Sequence, residues 1–246
     1  MGPLKDIKIF DLTRVLAGPH CTQILGDLGA DIIKIERVET GDDTRKFAPP
    51  YMKDTDGKDT NQSAYFSGTN RNKRSLTLDL SSEEGQSIAR ELISKSDILV
   101  ENFKVGTLKK YNLDYESLKD QFPDLIYCSI TGFGQTGPYA SRPAYDALVQ
   151  AMGGVMSLTG EPDGEPMKVG VSIADLMAGM YATVSILAAL RHRDKTNQGQ
   201  HLDISMLDAH VAWLANQGMN YLATGSNPDR LGNQHPNIFP YQVMPS

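Results

Sequence analysis

The chain has 246 residues, with 24 Lys and Arg against 30 Asp and Glu for a formal net charge of -6, and 40% of its residues are hydrophobic. That balance excludes a disordered chain, which is poorer in apolar residues and richer in net charge. It also speaks against a nucleic-acid partner, because phosphate backbones are met by dense Lys and Arg surfaces. Two cysteines, Cys21 and Cys128, are too few for a disulfide framework. With no signal or transit pattern at the N-terminus, they point to a cytoplasmic protein.

The predicted elements alternate. Residues 7–12 read as a buried strand, and Gly18-Pro19 opens a helix through Leu28, with Pro in the first turn, where its missing N–H costs nothing. Residues 31–36 form the second strand. Residues 38–64 are polar and rich in Asp and Pro, and read as a long excursion. Residues 74–80 are the third strand. Ser81 with Glu84 matches a capping box and starts a helix to about Ser96. Strands follow at 97–103 and 125–133, a helix at 173–193, a short strand at 201–205 and a helix at 205–223. This alternation predicts an α/β fold, a parallel sheet with helices on both faces. The uncharged stretch from Leu176 to Leu190 is apolar nearly all round, which predicts a buried helix. It is shorter than the roughly 20 residues that cross a bilayer, so no membrane is expected. Residues 1–224 read as one large domain and 225–246 as a linker into a smaller domain outside this chain.

Glu36 ends the second strand, as in dinucleotide-binding folds, but the first turn, Thr13 to Pro19, lacks the Gly-x-Gly-x-x-Gly fingerprint. NAD and FAD are therefore disfavoured. Arg37 follows the second strand, and Asn70-Arg71-Asn72-Lys73-Arg74 precedes the third. These basic groups read either as a phosphate site or as solvated surface charge. Asp175 stands at the start of the uncharged helix. It reads either as an N-cap or as an ionised carboxylate nucleophile, since helix N-termini stabilise negative charge. Thr131 to Pro138 carries three glycines in a strand-end loop. The five histidines show no metal-ligand spacing, so no metal is expected. No Gly-x-Ser-x-Gly elbow supports a Ser–His–Asp triad.

Taken together, several segments resemble family III CoA-transferases. They are Asp11-Leu12-Thr13-Arg14-Val15-Leu16-Ala17-Gly18-Pro19, Gly41-Asp42-Asp43-Thr44-Arg45, Asn72-Lys73-Arg74-Ser75, Val100-Glu101-Asn102-Phe103, Ile130 to Pro138 and Tyr145-Asp146-Ala147. Pro240-Tyr241-Gln242 is similar to the family's passage into its smaller domain. The resemblance runs from about residue 5 to the end, nearest to the succinyl-CoA–dicarboxylate members. It implies a Rossmann-like large domain, an interlocked homodimer, acyl-CoA and carboxylic acid substrates, and no permanently bound cofactor beyond the coenzyme A thioester itself. It places the catalytic aspartate at Asp175, where a mixed anhydride and an aspartyl-CoA thioester form in turn. Its CoA contacts fall on Val15, Leu16, Ala17, Arg37, Asn102 and Phe103, and its basic motif on Lys73 and Arg74.

Two departures matter. Thr131 stands where the formyl-CoA transferase carries Lys, which argues against a formyl substrate. The chain also stops before the Gly-rich loop that shields the intermediate there, so a CoA-binding piece without turnover is one alternative. Another is an α-methylacyl-CoA racemase. Those enzymes carry a Gly-His-Asp motif where this chain reads Ala144-Tyr145-Asp146, and Tyr is a poorer base than His at neutral pH.

Overall fold

The structure, a computed structural model, describes residues 2–241, 243 and 244. Gln242 of the expected passage lies outside the described residues. Six strands build one parallel sheet: β1 (Lys8–Asp11), β2 (Asp31–Glu36), β5 (Lys73–Thr77), β6 (Ile98–Glu101), β7 (Ile126–Thr131) and β8 (His201–Ser205). Their order is β5-β2-β1-β6-β7-β8. Counted along the sheet this is the doubly wound order, whose direction reverses between β1 and β6.

Consecutive strand residues point to opposite faces, and both faces are apolar here. Ile9, Ile98, Val100, Ile126 and Cys128 join the cluster under α1 (Ala17–Asp27) and α7 (Ile173–Thr196). Phe10, Leu99 and Tyr127 join the cluster under α3 (Glu83–Ile93) and α4 (Tyr115–Leu118). Helices therefore cover both faces, as the alternation predicts.

Several boundaries differ from expectation. Ser82, not Ser81, caps α3, accepting from the Gly85 N–H at 3.0 Å. The Ser81 hydroxyl instead donates to Asp79 at 2.6 Å, so the helix starts one residue later. The 38–64 excursion contains structure: a 3-10 turn at Asp43–Lys46 and a hairpin of β3 (Tyr51–Lys53) and β4 (Asp59–Ser63), followed by α2 (Ala64–Thr69). The helix expected over 205–223 is split into α8 (Met206–Val211) and α9 (Ala215–Thr224), with the break at Ala215, whose φ is 44°. α5 (Asp146–Met152) and α6 (Val155–Leu158) were not anticipated.

α7 requires a larger correction. It runs 24 residues, beyond the uncharged stretch, and by length and composition is long and apolar enough to cross a membrane. The length argument against a membrane span therefore fails. In the fold, its Ala174, Ala178, Ala182, Ile186 and Ala189 belong to the cluster beneath α1. Its opposite face, Met180, Tyr181, Val184 and Leu187, is exposed, Val184 by 59%. Expected burial all round is thus realised on one side only, because α1 and the sheet meet only that side. Past α9, Arg230 holds the 157–164 segment, donating to the carbonyls of Ser157 (3.1 Å), Glu161 (2.9 Å) and Gly164.

Candidate active site

Ligands of doubly wound sheets bind beyond the carboxyl ends of the strands at the reversal point. Here that point is the turn after β1 and the end of β6. Val15 in this turn has φ 69°, an outlying conformation for a β-branched residue that needs surrounding structure to hold it. Buried charges do so. Asp11 accepts from the Thr13 N–H (2.8 Å) and from the Thr13 and Thr22 hydroxyls (2.5 and 2.7 Å). Lys34 donates to the Thr13 carbonyl at 2.7 Å and pairs with Asp42 at 2.9 Å. Asp42 in turn accepts from the Val15 N–H at 3.3 Å. Lys73 pairs with Asp11 at 3.3 Å. Burial acts to raise both carboxyls, but the lysines together with the threonine donors outweigh it and hold Asp11 and Asp42 below the usual range. Burial brings Lys73 down to about 8. Asn102, just past β6, clasps the same turn from the other side. It accepts from the Arg14 N–H at 2.9 Å and donates to the Arg14 carbonyl at 2.7 Å.

Asp175 is the third residue of α7, with Ser172 at the cap position. It therefore lies inside the first turn rather than ahead of it, still at the positive end of the helix. Burial, and then the nearby Asp146 carboxylate, push its carboxyl up to about 7, while the Ala17 N–H pulls the other way. Asp146 positions this helix start. It accepts from the Ala174 N–H at 2.9 Å and from Gln150 at 2.7 Å, and Gln150 accepts from the Val169 N–H at 2.7 Å.

Asp175 opens onto a cleft of about 400 Å³ lined also by Arg14, Val15, Ala17, Asn102, Phe103 and Thr131. A second cleft of about 380 Å³ is lined by Arg14, Phe103, Arg37 and Leu78 to Ser81. Arg14 and Phe103 line both, stacked with the guanidinium 5.1 Å from the ring centre, so the two clefts adjoin at this pair. Asp43 bridges Arg14 (3.2 Å) and Arg37 at this junction.

The structure thus gathers Val15, Ala17, Asn102, Phe103 and Asp175 around one cleft and places Arg37 in the adjoining one. Leu16 is buried as the residue before α1 and does not line the cleft. Lys73 and Arg74 are not brought to it. Lys73 belongs to the buried charge cluster, and Arg74 is exposed and paired with Asp31 at 2.7 Å. Adjacent strand residues face opposite ways, which separates the two. Sequence reasoning missed Arg14, Asp43, Lys34 and Asp42, the Leu78 to Ser81 wall, and the anchoring role of Asp146. The Gly41-Asp42-Asp43 and Tyr145-Asp146-Ala147 motifs carried a signal for some of these.

The profile of CoA-transferase family III matches residues 4–245. The succinate–glutarate CoA-transferase of Agrobacterium fabrum is 54% identical over 244 residues, 99% of this chain and 61% of its own length. The acetyl-CoA:oxalate CoA-transferase of Acetobacter aceti is 46% identical, again over 99% of this chain and 61% of its own length. The crystal structure of a CAIB/BAIF family protein from Brucella suis shares the fold with a TM-score of 0.92 at 54% identity, covering 98% of this chain and 63% of that one. The chain spans about three fifths of the length of these relatives. In sequence and in fold alike, it belongs to CoA-transferase family III.

Proposed function

We propose that residues 1–224 form the CoA-binding domain of an acyl-CoA:carboxylate CoA-transferase in which Asp175 is the nucleophile. The observation that carries this reading is the position of Asp175. It is a largely buried carboxyl with no ion-pair partner among the described residues, in a cleft that adjoins, at Arg14 and Phe103, a second cleft holding Arg37. A CoA thioester laid across the two clefts would set its phosphates toward Arg14 and Arg37 and its acyl carbon toward Asp175. The relatives' names support succinyl-CoA as donor and a dicarboxylic acid as acceptor.

A carboxylate oxygen of Asp175 attacks the acyl carbonyl, and the carbon–sulfur bond breaks to release CoA thiolate and leave a mixed anhydride. Thiolate attacks the aspartyl carbonyl, expelling the donor carboxylate and leaving an aspartyl-CoA thioester. The acceptor carboxylate attacks that carbonyl, thiolate leaves again, and its return to the acceptor carbonyl yields the new thioester and free Asp175. The racemase alternative finds less support, since the named relatives are transferases and Tyr145 occupies the place of the proton-transfer His.

We further propose that a second copy of the chain covers the exposed Met180, Tyr181, Val184 and Leu187 face of α7 in an interlocked homodimer. Large exposed apolar patches of this kind mark interaction surfaces. The two unbridged, buried cysteines support a cytoplasmic setting. The transfer reading is tested by supplying succinyl-CoA with labelled glutarate. Labelled glutaryl-CoA is the expected product. Exchange of an α-proton in a branched acyl-CoA, with no transfer, contradicts it.

A further inference from the structure

The cleft beside Asp175 is lined by three cations: Arg14, Lys104 and Arg142. Arg14 is engaged by Asp43, and Lys104 directly follows Phe103 on the β6 side. Arg142 lies in the segment that leads into α5, whose Asp146 holds the N–H of Ala174 next to Asp175. This wall is fixed at its base by Gly132, where a Cβ would stand 2.3 Å from the Ala144 Cβ. The Arg142 guanidinium carbon sits 4.2 Å from the centre of the Tyr139 ring, and Tyr139 meets Phe133 edge-on at 5.5 Å. The Arg142 N–H closes the turn on the Tyr139 carbonyl at 2.8 Å. The planar group is therefore oriented by an aromatic face, while its side chain makes no ion pair and no hydrogen bond among the described residues. Its N–H donors form a fork that matches a carboxylate in two-point geometry.

We propose that Arg142 reads the second, non-reacting carboxylate of a dicarboxylic acyl group and so makes this cleft prefer dicarboxylates over monocarboxylates of equal length. The inference rests on the transfer reading above. A succinyl-type group brings a negative charge into a cleft that already holds Asp43 and Asp175, with Asp146 next to Asp175. Unpaired there, that charge would rank behind a plain alkyl end, because like charges gathered in one site repel. Arg142 supplies one in an orientation its aromatic support already holds.

The test compares CoA release in a single turnover from succinyl-CoA and from butyryl-CoA, for the wild type, Arg142→Met and Arg142→Lys. The wild type is expected to favour succinyl-CoA by roughly 10- to 100-fold, the scale of a charge-assisted hydrogen bond. Arg142→Met brings the ratio toward one, chiefly by slowing the succinyl reaction, and Arg142→Lys restores part of it. Equal slowing of both substrates, or an unchanged ratio, overturns the assignment while leaving transfer intact. Release from neither substrate by the wild type tells against the transfer reading instead. Equilibrium dialysis of succinate against butyrate then decides the role of Arg142: a preference for succinate that Arg142→Met abolishes upholds it, and no such preference overturns it.

Discussion

Asp175 is placed where ionisation is costly, and a nucleophile must be ionised to act. Its carboxyl, near 3.8 in an unfolded chain, stands at about 7 in the fold. The folded state thus favours the protonated form, and stability falls as pH rises from about 3.8 through 7. Asp175→Asn is expected to stabilise the protein at pH 8 by about 1–3 kcal/mol and by much less at pH 4. Chemical denaturation at the two pH values checks this, and equal effects at both would contradict it. Acylation should run the other way, rising with pH through 7 as the carboxylate forms. Arg37→Ala should weaken CoA binding by about 1.5–3 kcal/mol, as measured by calorimetry; unchanged affinity would remove Arg37 from the site. Among single residues, Arg37 was legible from its place after a strand, whereas Asn102, Phe103 and the choice of Asp175 as nucleophile over N-cap came only through the family resemblance. Arg14 with Asp43 was not legible, since that contact joins segments 29 residues apart through the fold. Lys73 and Arg74 read alike in sequence, and only the pleat separates them.

Between elements, the close approach of α1 and α7 sets the geometry of the nucleophile. Gly179 lies one turn after Asp175, and a Cβ there would stand 2.6 Å from the Ala17 carbonyl. Gly179→Ala is expected to push the helices apart, destabilise the fold by about 1–3 kcal/mol and draw the Ala17 N–H away from Asp175. Slower acylation together with a lower unfolding midpoint checks this; wild-type values for both would show that the contact relaxes freely. At this scale β2 and β8 were legible to the residue, because apolar strand residues end there at recognisable turns. The β3–β4 hairpin was not, since its residues are mostly polar and exposed and lack the alternation that marks a half-buried strand. The split between α8 and α9 was also hidden, because the helical pattern runs through Ala215 without a Gly or Pro.

Across the molecule, several carboxylates are held ionised by partners inside the fold. Burial tends to raise Glu36, but Arg45, Ser75 and the Asp42 N–H bring it down to about 2. Asp11 and Asp42 are lowered as well. Their stabilisation is complete above the ordinary carboxylate range and is lost as pH falls below it. Acid unfolding by circular dichroism should set in below about pH 4.5, the ordinary value for Glu36. Glu36→Gln should destabilise the protein at pH 7 and cost much less at pH 2. The α7 face belongs to this scale too. A dimer in sedimentation that Val184→Glu dissociates is the expected result, and a monomeric wild type contradicts the proposed interface. The most direct measurement of the central claim is intact mass after mixing the protein with succinyl-CoA and hydroxylamine, followed by peptide mapping. The account predicts a hydroxamate on Asp175 that Asp175→Ala abolishes; a hydroxamate at another residue, or one that persists in Asp175→Ala, would contradict it.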